Sequence, residues 1–232
     1  MSIKFTWLGH GMTLIEYASG PSVLIDPAYD ANPYARAAPD LGAVSSVLLT
    51  GGGDYCPQGV EIVCQTSPAL VVAHPTLCRW VEAQAGQRSK ALHRGGSVTD
   101  GDLRITMVHA EHTYFMVPPA DSAPVHGEGV GYILRHPNHP TVYVSGRTGV
   151  FGDMSLIKQL YAPEIALLSM GGRFSMGTDE AVLAVDLLGV KTVFPTHHMS
   201  DYERPSLQPV YDKLQAQGGN LHPLDPGQPF AL

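Results

Sequence analysis

The fold is indicated first by residues 3–27, IKFTWLGHGMTLIEYASGPSVLIDP. Short runs of β-branched and aromatic residues alternate there with Gly-containing turns, a pattern typical of paired β-strands. The pattern predicts strands at Ile3–Trp7, Met12–Tyr17 and Ser22–Ile25. The apolar run Val44–Thr50 predicts a buried central strand, because alternation is lost when both faces of a sheet are covered.

Strands and helices alternate along the rest of the chain. A helix is predicted at Thr76–Glu82 with Thr76 as its N-cap, and another at Thr178–Leu188 with Thr178 as its N-cap. The remaining predictions are strands at Ala69–Ala73, Leu103–His109, Val130–Arg135, Thr141–Ser145 and Val190–Phe194, and helices at Asp153–Tyr161 and Ser206–Gln217. Together these elements predict an α/β (α+β) protein with two β-sheets covered by outer helices.

One segment shows no periodicity. Residues Pro118–Gly131 are rich in Pro and Gly and carry His126. A long loop in a compact domain is often a lid or a binding loop, so His126 is a candidate to reach over a cleft. A surface insertion without a binding role explains the same composition equally well.

Composition restricts the class of protein. The chain has 232 residues, of which 44% are hydrophobic and 15% are charged, so it can bury a sizeable core. No linker or low-complexity tract divides it, and we expect one domain spanning 1–232. The net charge of −7 and the lack of a basic tract argue against nucleic acid or anionic membrane as partners. Oligomeric state stays open.

The chain shows no sign of secretion or membrane insertion. It contains no apolar run of the roughly 18 residues that a membrane span requires. Its three cysteines, Cys56, Cys64 and Cys78, form no Cys-x-x-Cys pair, which argues against a disulfide framework. A reducing cytoplasmic location is therefore expected.

Histidines follow several predicted strands. His10 comes after the first strand, His112 after the strand from Leu103, and His197 and His198 after the strand from Val190. Because ligand sites of α/β sheets gather at the carboxyl ends of strands, these side chains are predicted to share one cleft.

Seven short motifs, taken in order, resemble a known family. They are Trp7-Leu8-Gly9-His10, Val23-Leu24-Ile25-Asp26-Pro27, Val47-Leu48-Leu49-Thr50, Ala110-Glu111-His112, residues 142–148 (VYVSGRT), residues 169–177 (SMGGRFSMG) and Val193-Phe194-Pro195-Thr196-His197. Their order and spacing resemble the metallo-β-lactamase superfamily, in the branch of small metal-dependent hydrolases that includes ascorbate-6-phosphate lactonase. The resemblance implies a four-layer αββα sandwich of two mixed β-sheets flanked by helices, and a hydrolase of a small metabolite.

The sequence departs from that family at the metal ligands. The family has His-x-His-x-Asp-His after its metal-loop strand, where this chain has residues 51–56, GGGDYC. Aligned without a gap, both His ligands become Gly, the Asp becomes Tyr55 and the last His becomes Cys56; a one-residue shift would place Asp54 at the Asp position. Arg147 stands where the family has a bridging Asp. We therefore expect no cofactor, or at most one divalent ion.

A retained ion would be zinc, manganese or iron. Its ligands would be His112, His197 and either Asp54 or Cys56, the donors that remain at or near the family's ligand positions. A two-metal centre is not expected, because Gly has no ligating group and Arg is always positively charged.

A second hypothesis is that the pocket binds an anion. Gly51, Gly52 and Gly53 can turn backbone N–H groups inward as a nest, Arg147 offers a cationic fork, and the two matched histidines can donate hydrogen bonds. The alternative is that the glycines only form a tight turn and Arg147 pairs with Asp26 or Asp54.

Catalysis without metal is also chemically feasible. His112 or His197 can act as general base, Cys56 as nucleophile, and Arg147 with backbone N–H groups as oxyanion stabiliser, with Asp54 beside them. His10, Asp26, Tyr55, His126 and His198 are candidates to line the binding pocket. The open functions are a hydrolase of a small anionic ester, lactone or phosphorylated compound with a rebuilt metal site, a metal-free enzyme, and a non-catalytic anion-binding protein.

Overall fold

The computed structural model describes residues 2–29, 32, 34, 41–51, 56–87, 89–116, 125–199 and 204–232, without the side chains of residues 56–58, 84, 115, 116 and 125. The elements in chain order are β1 (Ile3–Trp7), β2 (Thr13–Tyr17), β3 (Ser22–Ile25), β4 (Ser46–Leu48), α1 (Cys56–Thr66), β5 (Leu70–Ala73), α2 (Pro75–Ala85), β6 (Ser89–Ala91), β7 (Ser97–Asp100), β8 (Leu103–Met116), β9 (Val125–Arg135), β10 (Val142–Val144), α3 (Met154–Tyr161), β11 (Ile165–Ser169), α4 (Thr178–Leu188), β12 (Thr192–Thr196), α5 (Gln208–Ala216), β13 (Asn220–Leu221) and β14 (Pro229–Ala231).

The strands form two mixed sheets. The first has the order β14-β1-β2-β3-β4-β5-β6 and the second the order β13-β12-β11-β10-β9-β8-β7. Strands β3 to β6 pair in parallel, as do β10 to β13, and the other neighbours are antiparallel. Each sheet therefore has one parallel half whose strands end at the same edge.

Alternating side chains of the strands build the layers. Val23 and Ile25 of β3 belong to the core between the sheets, where they meet Ile165 and Leu167 of β11. The intervening Leu24 faces the opposite way and packs with residues of α1 and α2. In the second sheet, outward-facing residues pack with α3, α4 and α5. The four-layer αββα sandwich expected from the resemblance is confirmed.

Several sequence predictions need correction. Helix α2 has His74, not Thr76, at its N-cap, and α4 has Gly177 there instead of Thr178. Residues 125–131 of the expected loop belong to β9, which forms a long hairpin with β8, so that part of the loop prediction was wrong. Residues 118–124 lie outside the described part of the chain.

Helix α1 was missed because its sequence, CPQGVEIVCQT, contains Pro and Gly, both poor helix formers. Val60 and Val63 anchor it through tertiary packing against the first sheet. In the described part of the chain, no helix is long and apolar enough to cross a membrane.

A cluster of buried rings lies at one end of the sandwich. This end is opposite the one where β3 and β10 finish. Tyr17 stacks on His136 with ring centroids 5.3 Å apart, and His139 contacts both rings at 5.1 and 4.7 Å. The hydroxyl of Tyr17, Nε2 of His136 and both ring nitrogens of His139 are buried without a hydrogen-bond partner in the described structure. Burial first, and then the charges of His136 and the chain's amino group, lower the pKa of His139.

This cluster predicts loss of stability in mild acid. Because the folded pKa of His139 lies below its ordinary value of about 6.5, the unfolded chain binds more protons as the pH falls through that value, and the free energy of unfolding decreases. The slope of Tm against pH between roughly pH 7.5 and 5.5 should be smaller in His139→Phe than in the wild type. His126→Phe, at an exposed histidine, serves as control, and equal slopes for His139→Phe and the wild type would contradict the prediction.

Candidate functional site

The predicted site residues follow strands that end at one edge of the two sheets. Asp26 follows β3, Gly51 comes soon after β4, Arg147 follows β10 and His197 follows β12. The backbone N–H of His197 donates to the carbonyl of His10, at 2.9 Å, which ties the turn after β1 to the end of β12. Two sheets facing each other thus converge their loops on one region.

Backbone strain concentrates in this region. Among the described residues that are not glycine, four have a positive φ, namely His10 at 49°, Asp26 at 43°, Ala162 at 44° and His197 at 60°. Ala162 is the C-cap of α3, whereas the other three are predicted site residues. Left-handed conformations cost free energy for residues with a β-carbon and are held in place most often at functional sites.

Asp26 is fixed by Thr50, which lies two residues after β4. Its Oδ1 accepts from the backbone N–H of Thr50 at 2.7 Å and its Oδ2 from the Thr50 hydroxyl at 2.5 Å. Burial raises the pKa of Asp26 to about 6, and the two Thr50 hydrogen bonds and Arg147 act in the opposite direction. Asp26 is a negative charge above that pH and a neutral acid below it.

Arg147 is exposed, but its charge reaches the floor of the site. Burial is the largest cause that lowers the pKa of His112 and the pKa of His197, and the positive charge of Arg147 is the second largest. It also lowers the pKa of Asp26. Within the described residues, Arg147 has no ion-pair partner within 4 Å, so the alternative that it pairs directly with Asp26 has no support in the geometry.

The turn that carries Arg147 is held rigidly against the strand of His112. Gly146 has a φ of 62°, and a β-carbon at this position would lie 2.6 Å from the carbonyl oxygen of Val130, so glycine is required. The hydroxyl of Thr148 accepts from the N–H of Glu111 at 2.9 Å. The sequence motifs that contain Arg147 and His112 are therefore neighbours in space.

His197 lies close to Asp26. A β-carbon on Gly11 would lie 3.2 Å from Nε2 of His197 and 3.4 Å from Oδ2 of Asp26, so both groups border the space left by that glycine. On the other side of the ring, Nδ1 of His197 lies 3.1 Å from the hydroxyl of Ser169 and 3.3 Å from that of Thr196. Burial and then Arg147 hold the pKa of His197 well below its usual range.

Comparison with known proteins places this geometry in a family. The sequence profile described as a beta-lactamase superfamily domain matches residues 4–197. The chain belongs to the metallo-β-lactamase superfamily. It is 32% identical over 230 residues to a UPF0173 metal-dependent hydrolase of Solibacter usitatus, covering 98% of this chain and 99% of the relative. It is 38% identical over 196 residues to one of Methanoregula boonei, covering 84% and 82% of the two chains.

Solved structures agree on the fold. Igni18, described as a novel metallo hydrolase from Ignicoccus hospitalis, superposes with a TM-score of 0.83 at 23% identity, over 100% of this chain and 99% of that one. An isothiocyanate hydrolase from Delia radicum gut bacteria gives a TM-score of 0.73 at 18% identity, over 99% and 98% of the chains. At these identities the likeness extends to the family fold alone.

The described residues do not by themselves complete a metal centre. Among them, no group of three or more His, Cys, Asp and Glu side chains is arranged to hold an ion. Arg147 adds a fixed positive charge that acts on both remaining histidines, and a divalent cation would be repelled by it. Asp54 and the side chain of Cys56, the other predicted donors, lie outside the described part of the structure.

The other predicted pocket residues are placed differently. His198 is buried against Trp7, with ring centroids 4.7 Å apart, and burial lowers its pKa to about 4, so its environment is that of a packing residue. His126 is exposed on β9 opposite Phe115. Gly51 lies next to the ring of Tyr114, whose Cδ1 would be 3.5 Å from a β-carbon there. Gly52, Gly53 and Tyr55 lie outside the described residues.

Sequence reasoning missed four residues that shape the site. Thr50, Ser169 and Thr196 are buried polar residues at or near the ends of strands, and each contacts a predicted site residue through its hydroxyl. Gly11 leaves the space that His197 and Asp26 share. A small polar residue closing an otherwise apolar strand is the signal that could have identified the three hydroxyl residues.

Asp26→Asn is predicted to strengthen anion binding. The amide keeps an acceptor for the Thr50 N–H but removes a negative charge near Arg147, so sulfate should bind roughly tenfold more tightly at pH 7.5. Because the pKa of Asp26 is raised to about 6, wild-type affinity should rise as the pH falls through 6 and approach that of the variant. Calorimetric titrations with sulfate at several pH values test this, and equal affinities at pH 7.5 would contradict it.

Proposed function

We propose that this member of the metallo-β-lactamase superfamily is a hydrolase-like protein that acts on a small anionic metabolite, with an anion-binding pocket where its relatives hold metal. One observation carries the proposal, namely that the turn of Arg147 is bound to the strand of His112, where the Thr148 hydroxyl accepts from the N–H of Glu111 at 2.9 Å. From this place the charge of Arg147 lowers the pKa of His112, His197 and Asp26. An arginine whose positive charge acts on histidines with lowered pKa suits a carboxylate or a phosphate, which it can bind in a bidentate manner.

The glycine run gives the proposal further support. Gly51 follows the strand that ends at Thr50, and Gly52 and Gly53 continue the chain toward α1. A backbone without β-carbons can orient successive N–H groups toward an anion. Such donors would add to the positive charge of Arg147.

His112 is the better candidate for a general base. Its ring makes no hydrogen bond within the described residues, and burial and Arg147 lower its pKa, so it is neutral near pH 7. In hydrolysis of an ester or lactone, water would pass a proton to His112 as its oxygen bonds to the carbonyl carbon. The acyl C–O bond to the alcohol would then break, and the departing oxygen would take that proton back from His112. Arg147 would meet the charge that develops on the carbonyl oxygen. The participation of Cys56 and Asp54 stays a prediction.

A hydrolase with one rebuilt metal site is a second candidate, because the relatives of this chain are named metal-dependent hydrolases. His112 and His197 would supply two of its ligands and Asp54 or Cys56 the third. The ascorbate-6-phosphate lactonase branch stays a prediction for either candidate. A protein that binds the anion without turning it over is the third outcome.

Protein purified without chelators distinguishes the three. Metal content is measured first, followed by turnover of a panel of lactones, carboxylate esters and phosphorylated esters. Turnover without stoichiometric metal, lost in His112→Gln, supports the proposal. Stoichiometric zinc, manganese or iron that is lost in His197→Ala supports the metal-bound hydrolase and contradicts the proposal. Tight phosphate binding with no turnover across the panel supports a protein that binds the anion without catalysis.

A further inference from the structure

The hydrogen-bond partners of His197 determine which of its nitrogens carries hydrogen. Nδ1 lies 3.1 Å from the hydroxyl oxygen of Ser169 and 3.3 Å from that of Thr196. Ser169 is fully buried and Thr196 is nearly so. Each hydroxyl has one hydrogen to donate, and leaving it unpaired in a buried place is unfavourable.

The available acceptors are few. Within the described residues, Nδ1 of His197 is the one acceptor recorded for the hydroxyl of Ser169 and for that of Thr196. If Nδ1 carried hydrogen, both hydroxyl hydrogens would be buried without an acceptor. A bare Nδ1 has one lone pair and accepts from the nearer hydroxyl, that of Ser169, so at least one of the two hydroxyl hydrogens is paired; this assigns the ring hydrogen to Nε2.

Nε2 lies on the pocket side of the ring. A β-carbon on Gly11 would lie 3.2 Å from Nε2 and 3.4 Å from Oδ2 of Asp26, so this nitrogen borders the same space as the carboxylate. A metal ligand needs a lone pair at the nitrogen that faces the ion, and the usual supporting partner accepts hydrogen from the other nitrogen. The two hydroxyls reverse that arrangement.

We infer that Ser169 and Thr196 fix His197 with its Nε2–H directed into the pocket, so that His197 donates a hydrogen bond to a bound anion and offers no lone pair to a divalent cation. Ser169 is thus a positioning residue, since it acts through His197. The identity of the ligand as an anion rests on the proposed function, whereas the position of the ring hydrogen does not.

Nuclear magnetic resonance of protein labelled with ¹⁵N-histidine tests the tautomer directly. Long-range proton–nitrogen spectra at about pH 8, well above the ordinary histidine pKa, report which ring nitrogen carries hydrogen. The His197 signals are assigned by their loss in His197→Gln. We expect a bare Nδ1 and a protonated Nε2 in the wild type. The opposite tautomer would overturn the inference, and this result needs no variant other than the one used for assignment.

The double variant Ser169→Ala with Thr196→Val removes both hydroxyls. Its His197 should shift toward the other tautomer, and its affinity for inorganic phosphate should fall roughly three- to tenfold. A second double variant, Ser169→Thr with Thr196→Val, keeps a hydroxyl at position 169. Its His197 should have the wild-type tautomer. Ser67→Ala, at a buried serine whose hydroxyl oxygen accepts from the N–H of Val44, is the control and should change neither measurement.

The role of Ser169 and the proposed function can be contradicted separately. The expected tautomer without phosphate binding would contradict the proposed function and leave Ser169 as the residue that positions the ring. Phosphate binding with hydrogen on Nδ1 would overturn the inference about Ser169 and leave the proposed function intact. An unchanged tautomer in a folded double variant would also overturn the role of the hydroxyls.

Discussion

Arg147→Ala is expected to weaken binding of inorganic phosphate and acetate by roughly 10- to 100-fold, the effect of losing hydrogen bonds to a charged group. The physical reason is that Arg147 is the cation whose charge acts on His112, His197 and Asp26. The same variant should raise the pKa of His112 and His197, because it removes a like charge. Calorimetric titration gives the affinities, and histidine NMR gives the pKa values.

Two further variants make the result specific to the site. Arg135→Ala removes a positive charge at the carboxyl end of β9, away from Arg147. The guanidinium of Arg135 contacts the ring and the carbonyl of Tyr161. This control should bind phosphate like the wild type. Arg147→Lys keeps the charge without the fork and should recover part of the affinity. Equal phosphate affinity in Arg147→Ala and the wild type would contradict an anion site at this position.

Phe194→Ala is expected to lower the free energy of unfolding by about 3–5 kcal/mol, the cost of deleting a buried aromatic side chain. Phe194 is 2% exposed and stacks on Phe5 with ring centroids 4.4 Å apart, so it joins β12 to β1 across the two sheets. For a chain of this size the loss corresponds to a fall in Tm of roughly 6–20 °C. Denaturant unfolding and calorimetry measure it.

The matched control is Phe174→Ala. Phe174 is 52% exposed, so its removal should change the free energy of unfolding by no more than about 0.5 kcal/mol. Phe194 also lies three residues before His197, and its loss should loosen the end of β12 and weaken phosphate binding. A Phe194→Ala protein as stable as Phe174→Ala would contradict the packing of the two sheets described above.

Local sequence patterns predicted the elements whose periodicity is undisturbed. Strands β1 and β3 and helix α4 begin and end at the predicted residues. Strand β12 runs two residues beyond its predicted end because Pro195 is accommodated inside the sheet, in register with Leu168. Strand β11 was missed because its five residues are all buried, and a short apolar run is as typical of a buried helix segment as of a strand.

The site was predictable only through the resemblance. Periodicity placed histidines at strand ends, but only the ordered motifs indicated that Arg147 would lie near His112 and His197. The supporting roles of Thr50, Ser169 and Thr196 depend on hydrogen bonds between strand ends, and such contacts leave no periodic trace in a single sequence. That residues 1–232 form one domain stays a prediction, as do the anionic ligand and its place in the pocket.

The proposed function requires an anion in the region that Arg147, His112 and His197 border. One crystal soaked with both selenate and zinc, with diffraction data collected at the absorption edge of each element, tests it most directly. We predict an anomalous selenium peak within hydrogen-bonding reach of Arg147 and Nε2 of His197, and no zinc peak there. A zinc peak bound by His112 and His197, without selenium, would contradict the account.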